Sequence, residues 1–239
     1  MRCLLSAILV VVTFCGFTPQ QKPGLGSVTL AIDLRFLGEP LVLGRYLCHS
    51  AHQDSLSIDV WRFYISAVEF KKNSVVCFTE SNSYHLVDAE LSNSQTFVIH
   101  GVPIGDYDAI CFNIGTDSLT NVSGAMGGDL DPTLGMYWAW NTGYINCKIE
   151  GRSNACKTLH HAFEFHLGGY MPPNQTVRKL QLPVEHLRVV EDSTAPLRIT
   201  SDLFSFFSHI RLDTTNKVMI PSRVAAQLAD NFAKTFTVQ

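Results

Sequence analysis

The chain has 239 residues, of which 46% are hydrophobic and 16% are charged, and its net charge is −3. This balance is typical of a folded globular protein and excludes a disordered chain. Lysine and arginine are scattered singly apart from Lys71-Lys72, so the basic patch of a nucleic-acid-binding protein is missing and we expect no nucleic-acid partner.

The first segment of the chain predicts export. Arg2 precedes an apolar run at residues 4–12, which is too short to span a bilayer and has the length of a secretory signal. We assign residues 1–20 to a signal peptide and expect the mature chain in the periplasm or outside the cell, with no membrane span. Cys15 is followed by glycine, as in lipoprotein signals, but Phe14 stands where such signals need a small residue, so we expect no lipid anchor.

The rest of the chain, residues 24–239, is predicted to form one mainly β domain. Residues 27–37, SVTLAIDLRFL, alternate apolar and polar side chains with the period of a half-buried strand. Similar runs follow at residues 57–70 and 84–89, and residues 96–115 contain two more around a turn. Short strands at this spacing predict an antiparallel β-sandwich or a barrel-like fold.

The next segment, residues 115–132, is a loop rich in glycine and in oxygen-bearing side chains. Its aspartates, Asp117, Asp129 and Asp131, could order a calcium ion, although their spacing is not that of an EF-hand. Turns and backbone capping explain the same aspartates without a metal. We keep calcium as an alternative cofactor.

Two tryptophans, Trp138 and Trp140, follow in the sequence GMYWAWNTGYINCKIEG, and a hairpin is predicted around the turn at residues 150–155. One register of this hairpin places Trp138 directly opposite His166, with Cβ atoms about 5 Å apart. A slip of one residue instead places Cys147 opposite Cys156 and sends Trp138 and His166 to opposite faces. A bulge would reconcile both pairs. We predict a Cys147–Cys156 disulfide, the alternative being two buried thiols.

The C-terminal region predicts the helices of the fold. Residues 221–236 carry apolar side chains at helical spacing after Ser222, which can cap the first turn. A shorter helix is expected at residues 202–207, and a strand at residues 209–220. The expected fold is therefore a β-sandwich or barrel-like domain with a C-terminal α-helix.

Several long motifs together resemble the copper-binding MbnP-like family, which is named for a protein of methanobactin operons. The longest is GDYDAICFNIGTDSLTNVSGAMGGDLDPTLGMYWAWNTGYINCKIEG at residues 105–151. Four shorter ones agree with it in order: WRFYISAVEF, YHLVDA, FHLGG and MIPSRVAAQLADNFAKTFTV. One departure lies in the first strand, where members often carry a histidine and this chain has Asp33-Leu34-Arg35.

The resemblance implies a secreted or periplasmic β-rich protein that binds one copper ion. In that family, a partner di-haem enzyme of the cytochrome c peroxidase and MauG type can oxidise the first tryptophan of the WxW motif to kynurenine, on which copper binding depends. The matching residue here is Trp138, which leaves Trp140 a packing role. The implied function is copper capture, storage or handover, and we expect no enzymatic turnover.

Coordination chemistry agrees with a modified tryptophan. The indole N–H of an unmodified tryptophan only donates hydrogen bonds, whereas ring opening leaves an aryl amine and a ketone with lone pairs. Neutral imidazoles are natural companions for copper. We expect His166 and His85, which lie in motifs that resemble the family, to complete the site with Trp138, and His100 is a further candidate.

Two other functional classes are consistent with the residues alone. Met136, Trp138 and Trp140 alternate onto one face, which is also the pattern of a hydrophobic core. The chain could therefore be a secreted structural or interaction module with a calcium-binding loop and no copper role. An enzyme that uses the open position of a bound copper ion is a third interpretation.

Overall fold

The computed structural model describes residues 24–49, 54–140 and 143–238, so the predicted signal peptide lies outside the described part of the chain. The strands are β1 (Leu25–Phe36), β2 (Glu39–Pro40), β3 (Tyr46–His49), β4 (Asp54–Lys72), β5 (Val75–Thr79), β6 (Tyr84–Asp88), β7 (Thr96–Pro103), β8 (Gly105–Ile114), β9 (Tyr137–Trp138), β10 (Gly143–Ser153), β11 (Ala162–Gly168), β12 (Arg178–Val189), β13 (Thr194–Asp202), β14 (Lys217–Val218) and β15 (Phe236–Val238). The α-helices are α1 (Ser118–Val122), α2 (Leu203–Phe207) and α3 (Arg223–Ala233).

The strands form two sheets packed face to face, which confirms the predicted mainly β sandwich. The first sheet has the order β15-β13-β1-β2, with β7 also on β1. The second has the order β12-β8-β4-β10-β11-β14, in which β8 and β10 pair with successive parts of one edge of the long strand β4. Strands β3, β5 and β6 pair with the other edge of β4, and β9 pairs with β10. Most pairs are antiparallel as predicted, but β1 with β13 and β11 with β14 are parallel.

The main core lies between the two sheets. The alternating pattern of β1 buries Val28, Leu30 and Ile32, as its sequence predicts, and β4 contributes Trp61 and Phe63 from the second sheet. Helix α3 closes one side of this core. Its first turn is capped by the predicted serine, and it confirms the predicted C-terminal helix, although β15 follows it.

A second, smaller group of buried side chains lies on the other face of the second sheet. We call it the outer cluster, and its members are Tyr64, Leu86, Leu130, Met136, Trp138, Tyr144 and Ile145. Part of this cluster comes from the sheet and part from the irregular chain between β8 and β10, of which residues 116–140 are described here as the covering segment. The domain therefore has a main core between its sheets and a small core outside them.

The strand predicted at residues 209–220 is almost absent, since only β14 forms there. The preceding residues instead make a turn, in which the N–H groups of Thr214 and Thr215 donate to the carbonyl of Arg211. Alternating apolar residues of this segment, Ile210 and Leu212, are buried in the main core without a strand partner. None of the helices in the described part of the chain is long and apolar enough to cross a membrane.

Candidate metal centre

Trp138 is buried on the outer face of the second sheet. It pairs with Gly143 as part of the two-residue strand β9, and its side chain is 5% exposed. Its ring lies over Gly168 in β11, because a Cβ atom at that glycine would come 2.5 Å from Cζ3 of the indole. The first glycine of the FHLGG motif is therefore required by the close approach of a tryptophan ring to the strand backbone.

Both predicted hairpin registers are wrong, because His166 pairs with Lys148, Cys147 pairs with Leu167, and Trp138 is not part of β10. The chain reverses direction after Trp138, and the connection between β10 and β11 lies at residues 154–161, later than expected. The shared face nevertheless exists. His166 and Gly168 are two residues apart on one strand, so their side-chain directions agree and their backbones are about 7 Å apart. His166 and Trp138 thus face the same side.

The predicted Cys147–Cys156 disulfide is also wrong, since both thiols are free and buried. Cys147 precedes Ser153, the end of β10, by six residues, which is about 20 Å of strand. A disulfide needs Cα atoms within about 7 Å of each other. Cys156 lies beyond the end of β10, so its Cα atom is too far from that of Cys147. Its Sγ instead donates to the carbonyl of Leu212 at 3.6 Å. Burial raises the pKa of the Cys147 thiol, and chiefly burial raises that of Cys156 to about 11.

His166 is 7% exposed and is held by a carboxylate. Its Nε2 lies 2.6 Å from Oε1 of Glu150, and Nζ of Lys148 lies 3.3 Å from the same oxygen. The hydrogen bond from His166, helped by the charge of Lys148, lowers the pKa of Glu150 to about 2. Among the described residues no hydrogen bond engages Nδ1. A histidine that ligates a metal through one nitrogen commonly donates its other N–H to a carboxylate, and the contact of His166 with Glu150 is a carboxylate contact of this kind.

His85 does not join this site, contrary to the sequence-based expectation. It lies opposite Ile65, on the face of β6 that packs toward the main core, whereas His166 faces the outer side with β4 and β10 between them. Its Nε2 lies 2.9 Å from Oε2 of Glu80, and its ring stacks on Phe97 with centroids 3.8 Å apart. Alternation along β6 is the reason, because neighbouring residues of a strand point to opposite faces.

His100 is equally remote, since it lies on β7 in the first sheet. It is exposed, and its Nδ1 is 3.2 Å from Oγ of Ser27. Across the described residues there is no group of three or more histidine, cysteine, aspartate or glutamate side chains placed to hold a metal ion. The described side chains of these four types therefore supply at most two neighbouring donors, His166 and Glu150, at this face.

The three loop aspartates hold backbone groups. Asp117 caps α1 by accepting from the N–H of Thr120, and Asp131 accepts from the N–H of Thr133 at a short 3₁₀ helix. Asp129 accepts from the N–H of Leu86 on β6 at 2.9 Å. Hydrogen bonding to the backbone, the alternative to calcium, thus accounts for each of these side chains. The contact of Asp129 with Leu86 also fastens the covering segment to the sheet. 

Arg62 also anchors the covering segment, a role that is not predicted from the sequence. Its Nε donates to Oδ2 of Asp88 at 2.7 Å, and its Nη1 donates to the carbonyl of Leu134 at 3.2 Å. Tyr144 on β10 adds a hydrogen bond from its hydroxyl to the carbonyl of Leu130 at 2.9 Å. The sequence feature that could have indicated this role is an arginine on the outward face of the strand WRFYISAVEF.

Trp140 is on the surface. Its side chain is 63% exposed, and its ring centroid lies 5.5 Å from that of Trp138 at an interplanar angle of 41°. The predicted packing role is therefore only partly correct, because Trp140 covers one side of Trp138 and leaves most of its own surface in solvent.

Comparisons with known proteins agree with this architecture. A model of the MbnP family matches residues 25–220. Among solved structures, MbnP from Methylosinus trichosporium superposes with a TM-score of 0.55 at 15% identity, over 84% of this chain and 87% of that chain, which shows a shared fold. No curated protein matches. Because the family model covers most of the sequence, this chain belongs to the MbnP family, which is linked to methanobactin operons.

Proposed function

We propose that this protein is exported and binds copper for capture, storage or handover, through His166 and a Trp138 that has first been oxidised to kynurenine. The observation that carries the proposal is the ring of Trp138 lying over Gly168, on the face that His166 shares. Membership of the MbnP family supports it, as does the apolar run at residues 4–12, which favours export. The protein would carry copper as cargo and catalyse no reaction of its own.

The donor count explains why a modification is needed. His166 and Glu150 are too few to enclose a copper ion, and the native indole of Trp138 has no lone pair to offer. Opening the ring would place an amine nitrogen and a ketone oxygen at a position that is already buried beside the histidine strand. Amine and imidazole nitrogens suit copper. The modification thus supplies donors where the genetically encoded residue has none.

Glu150 positions His166 in this proposal. With Nε2 donating to the carboxylate, Nδ1 is the nitrogen that can bind copper without breaking the ion pair. Lys148 contacts the same carboxylate and keeps it charged. His85 and His100 have no part, because they lie on the opposite face of the second sheet and on the first sheet.

The oxidising partner is a di-haem enzyme of the cytochrome c peroxidase and MauG type, as in the family that the sequence resembles. The protein produced without that partner should then bind copper weakly. Treatment with the partner and peroxide should change the mass of the Trp138 peptide, and tight copper binding should appear at the same time.

Copper titration of treated variants tests the proposal. Trp138→Phe and His166→Asn should each weaken binding by at least about 100-fold, more than loss of a supporting residue usually costs. His85→Asn and His100→Asn are matched controls that should bind like the treated wild type. Tight stoichiometric binding by Trp138→Phe would sink the modification, and weak binding by His85→Asn would sink the ligand assignment.

A further inference from the structure

We propose that Trp140 is the relay through which electrons leave Trp138 during its oxidation by the partner enzyme. This inference rests on the proposed function, because it concerns how Trp138 becomes a copper ligand. It assigns Trp140 a redox role in place of the packing role that the sequence suggests.

Burial makes a relay necessary. Trp138 is 5% exposed, with the backbone of β11 on one side and the outer cluster around it. A haem that is enclosed in another protein cannot approach this ring without opening the covering segment. Electron transfer slows steeply with distance, so an exposed carrier in contact with Trp138 would bridge the gap.

Trp140 has the position of such a carrier. Its ring is 5.5 Å from that of Trp138 between centroids, which is within contact range for aromatic pairs, and 63% of its side chain faces solvent. An indole can lose one electron without first losing its N–H proton. After Trp140 at the surface has lost an electron, an electron from the buried ring of Trp138 can replace it.

Two buried tyrosines of the outer cluster, Tyr64 and Tyr144, are poorer carriers. Tyr64, Tyr144 and Tyr137 form a chain of rings, with centroids 5.9 Å and 5.0 Å apart. A phenol must release its proton when it is oxidised, but the hydroxyl of Tyr144 donates to the carbonyl of Leu130, which is not a base. The buried hydroxyl of Tyr64 has no partner among the described residues, and burial raises its pKa. Proton release is therefore blocked in both.

The electrons and atoms balance as follows. Trp138 releases four electrons and four protons and takes up the oxygen atoms of two water molecules, which gives N-formylkynurenine. The electrons pass singly through Trp140 to the partner haem enzyme, where two molecules of hydrogen peroxide accept them with four protons and become water. Hydrolysis of the formyl group by one more water molecule releases formate and leaves kynurenine.

The test follows the rate at which the Trp138 peptide gains the mass of the oxidised product, with the full chain, the di-haem enzyme and peroxide. Trp140→Phe keeps an apolar ring but resists oxidation, so modification should be at least about tenfold slower. Trp140→Tyr, which is exposed and can lose its proton to water, should recover part of the rate. Tyr46→Phe is a matched control, because Tyr46 is also 63% exposed but lies on β3. It should react like the wild type.

A second oxidant separates electron transfer from docking. Photogenerated tris(bipyridine)ruthenium(III) takes single electrons without a docking site, and Trp140→Phe should slow oxidation of Trp138 by this reagent too. A wild-type rate of Trp138 oxidation in Trp140→Phe with either oxidant would overturn the relay. If oxidation is slowed with the enzyme but not with the ruthenium complex, Trp140 only contacts the partner and does not carry electrons. If the enzyme leaves wild-type Trp138 unmodified, the proposed function fails, and the ruthenium reaction still decides the relay.

Discussion

The main core and the outer cluster hold the same sheet from its two faces by different means. In the main core, Phe63 contacts three other aromatic rings contributed by β4, α3 and β15 within a large cluster of buried apolar side chains. The outer cluster has fewer members, and the irregular segment that covers it is secured by hydrogen bonds that Arg62 and Tyr144 donate and one that Asp129 accepts. The first region depends on shape and buried area, and the second depends also on directed hydrogen bonds.

This difference indicates where the protein can tolerate chemistry. Oxidising a ring of the main core would insert polar groups among tightly packed side chains, at a high free-energy cost. Trp138 instead belongs to the outer cluster, under a segment that hydrogen bonds hold to the sheet, and its ring lies against a glycine, Gly168. Oxidation of Trp138 therefore takes place outside the main core between the two sheets.

The largest stability effect is expected in the main core, from Phe63→Ala. The cavity left by a ring that is fully buried against Trp61, Phe232 and Phe236 should lower the free energy of unfolding by about 3–5 kcal/mol. Urea titration followed by circular dichroism measures it. A loss below about 1 kcal/mol would mean that this face of the sheet contributes no more than the outer one.

Much of this main core could be predicted from the sequence. The period-two pattern gave β1 and β4 within a few residues, and the capping serine located the start of α3. These features are local, so the chain needs no distant partner to display them. The segment at residues 209–220 has a similar pattern, but its apolar residues are buried by a turn. Periodicity reports burial of alternate residues and does not report pairing.

The candidate site was less predictable because it depends on register and on distant contacts. One of the two predicted registers puts Trp138 and His166 on one face, where the structure also has them, but neither predicted pairing is present. Two residues in the actual turn, His160 and His161, have positive φ values that no turn motif in the sequence signals. The contact of Arg62 with the carbonyl of Leu134 joins backbone and side chain far apart in sequence, and no local pattern records it.

Within the outer cluster, Gly168→Ala should have the largest effect. The added Cβ would lie 2.5 Å from the Trp138 ring and 2.9 Å from the carbonyl oxygen of Tyr144, so the ring must move. We expect about 1–3 kcal/mol of destabilisation, shifted tryptophan fluorescence and loss of copper binding after treatment with the partner. Gly127→Ala is the control, since Gly127 has φ −103° and no atom within 4 Å of its Cβ position. Equal spectra for the two variants would contradict the assigned contact.

A smaller loss is expected when the covering segment is released through Arg62→Met. The substitution removes the donors to Asp88 and to the carbonyl of Leu134 but keeps most of the side-chain volume. Because Arg62 is partly exposed, we expect about 1–2 kcal/mol of destabilisation and faster hydrogen exchange in residues 116–140. Arg198→Met removes an exposed pair with Asp33 and should change stability by less than about 1 kcal/mol. Unchanged exchange in Arg62→Met would show that other contacts hold the segment.

The smallest expected effects concern labelling of the cysteine thiols. A buried thiol reacts only when the fold around it opens, so its labelling rate reports that opening. Cys77 is exposed and should react with iodoacetamide in the native protein, whereas Cys147 and Cys156 are buried and should not. With its pKa at about 11, Cys156 is a thiolate in about one molecule in a thousand at pH 8, which slows it further. Mass spectrometry of the digested protein locates the label.

Combined with the variants above, this labelling asks whether the two regions open together. Cys147 lies opposite Phe63, so Phe63→Ala should expose it to the reagent by raising the population of unfolded chains. Arg62→Met loosens only the covering segment and should leave Cys147 close to the wild-type rate, apart from the small rise that its own stability loss produces. Equal labelling of Cys147 in both variants would mean that the sheet and its covering segment unfold as one unit, and that oxidation of Trp138 must then disturb the whole sandwich.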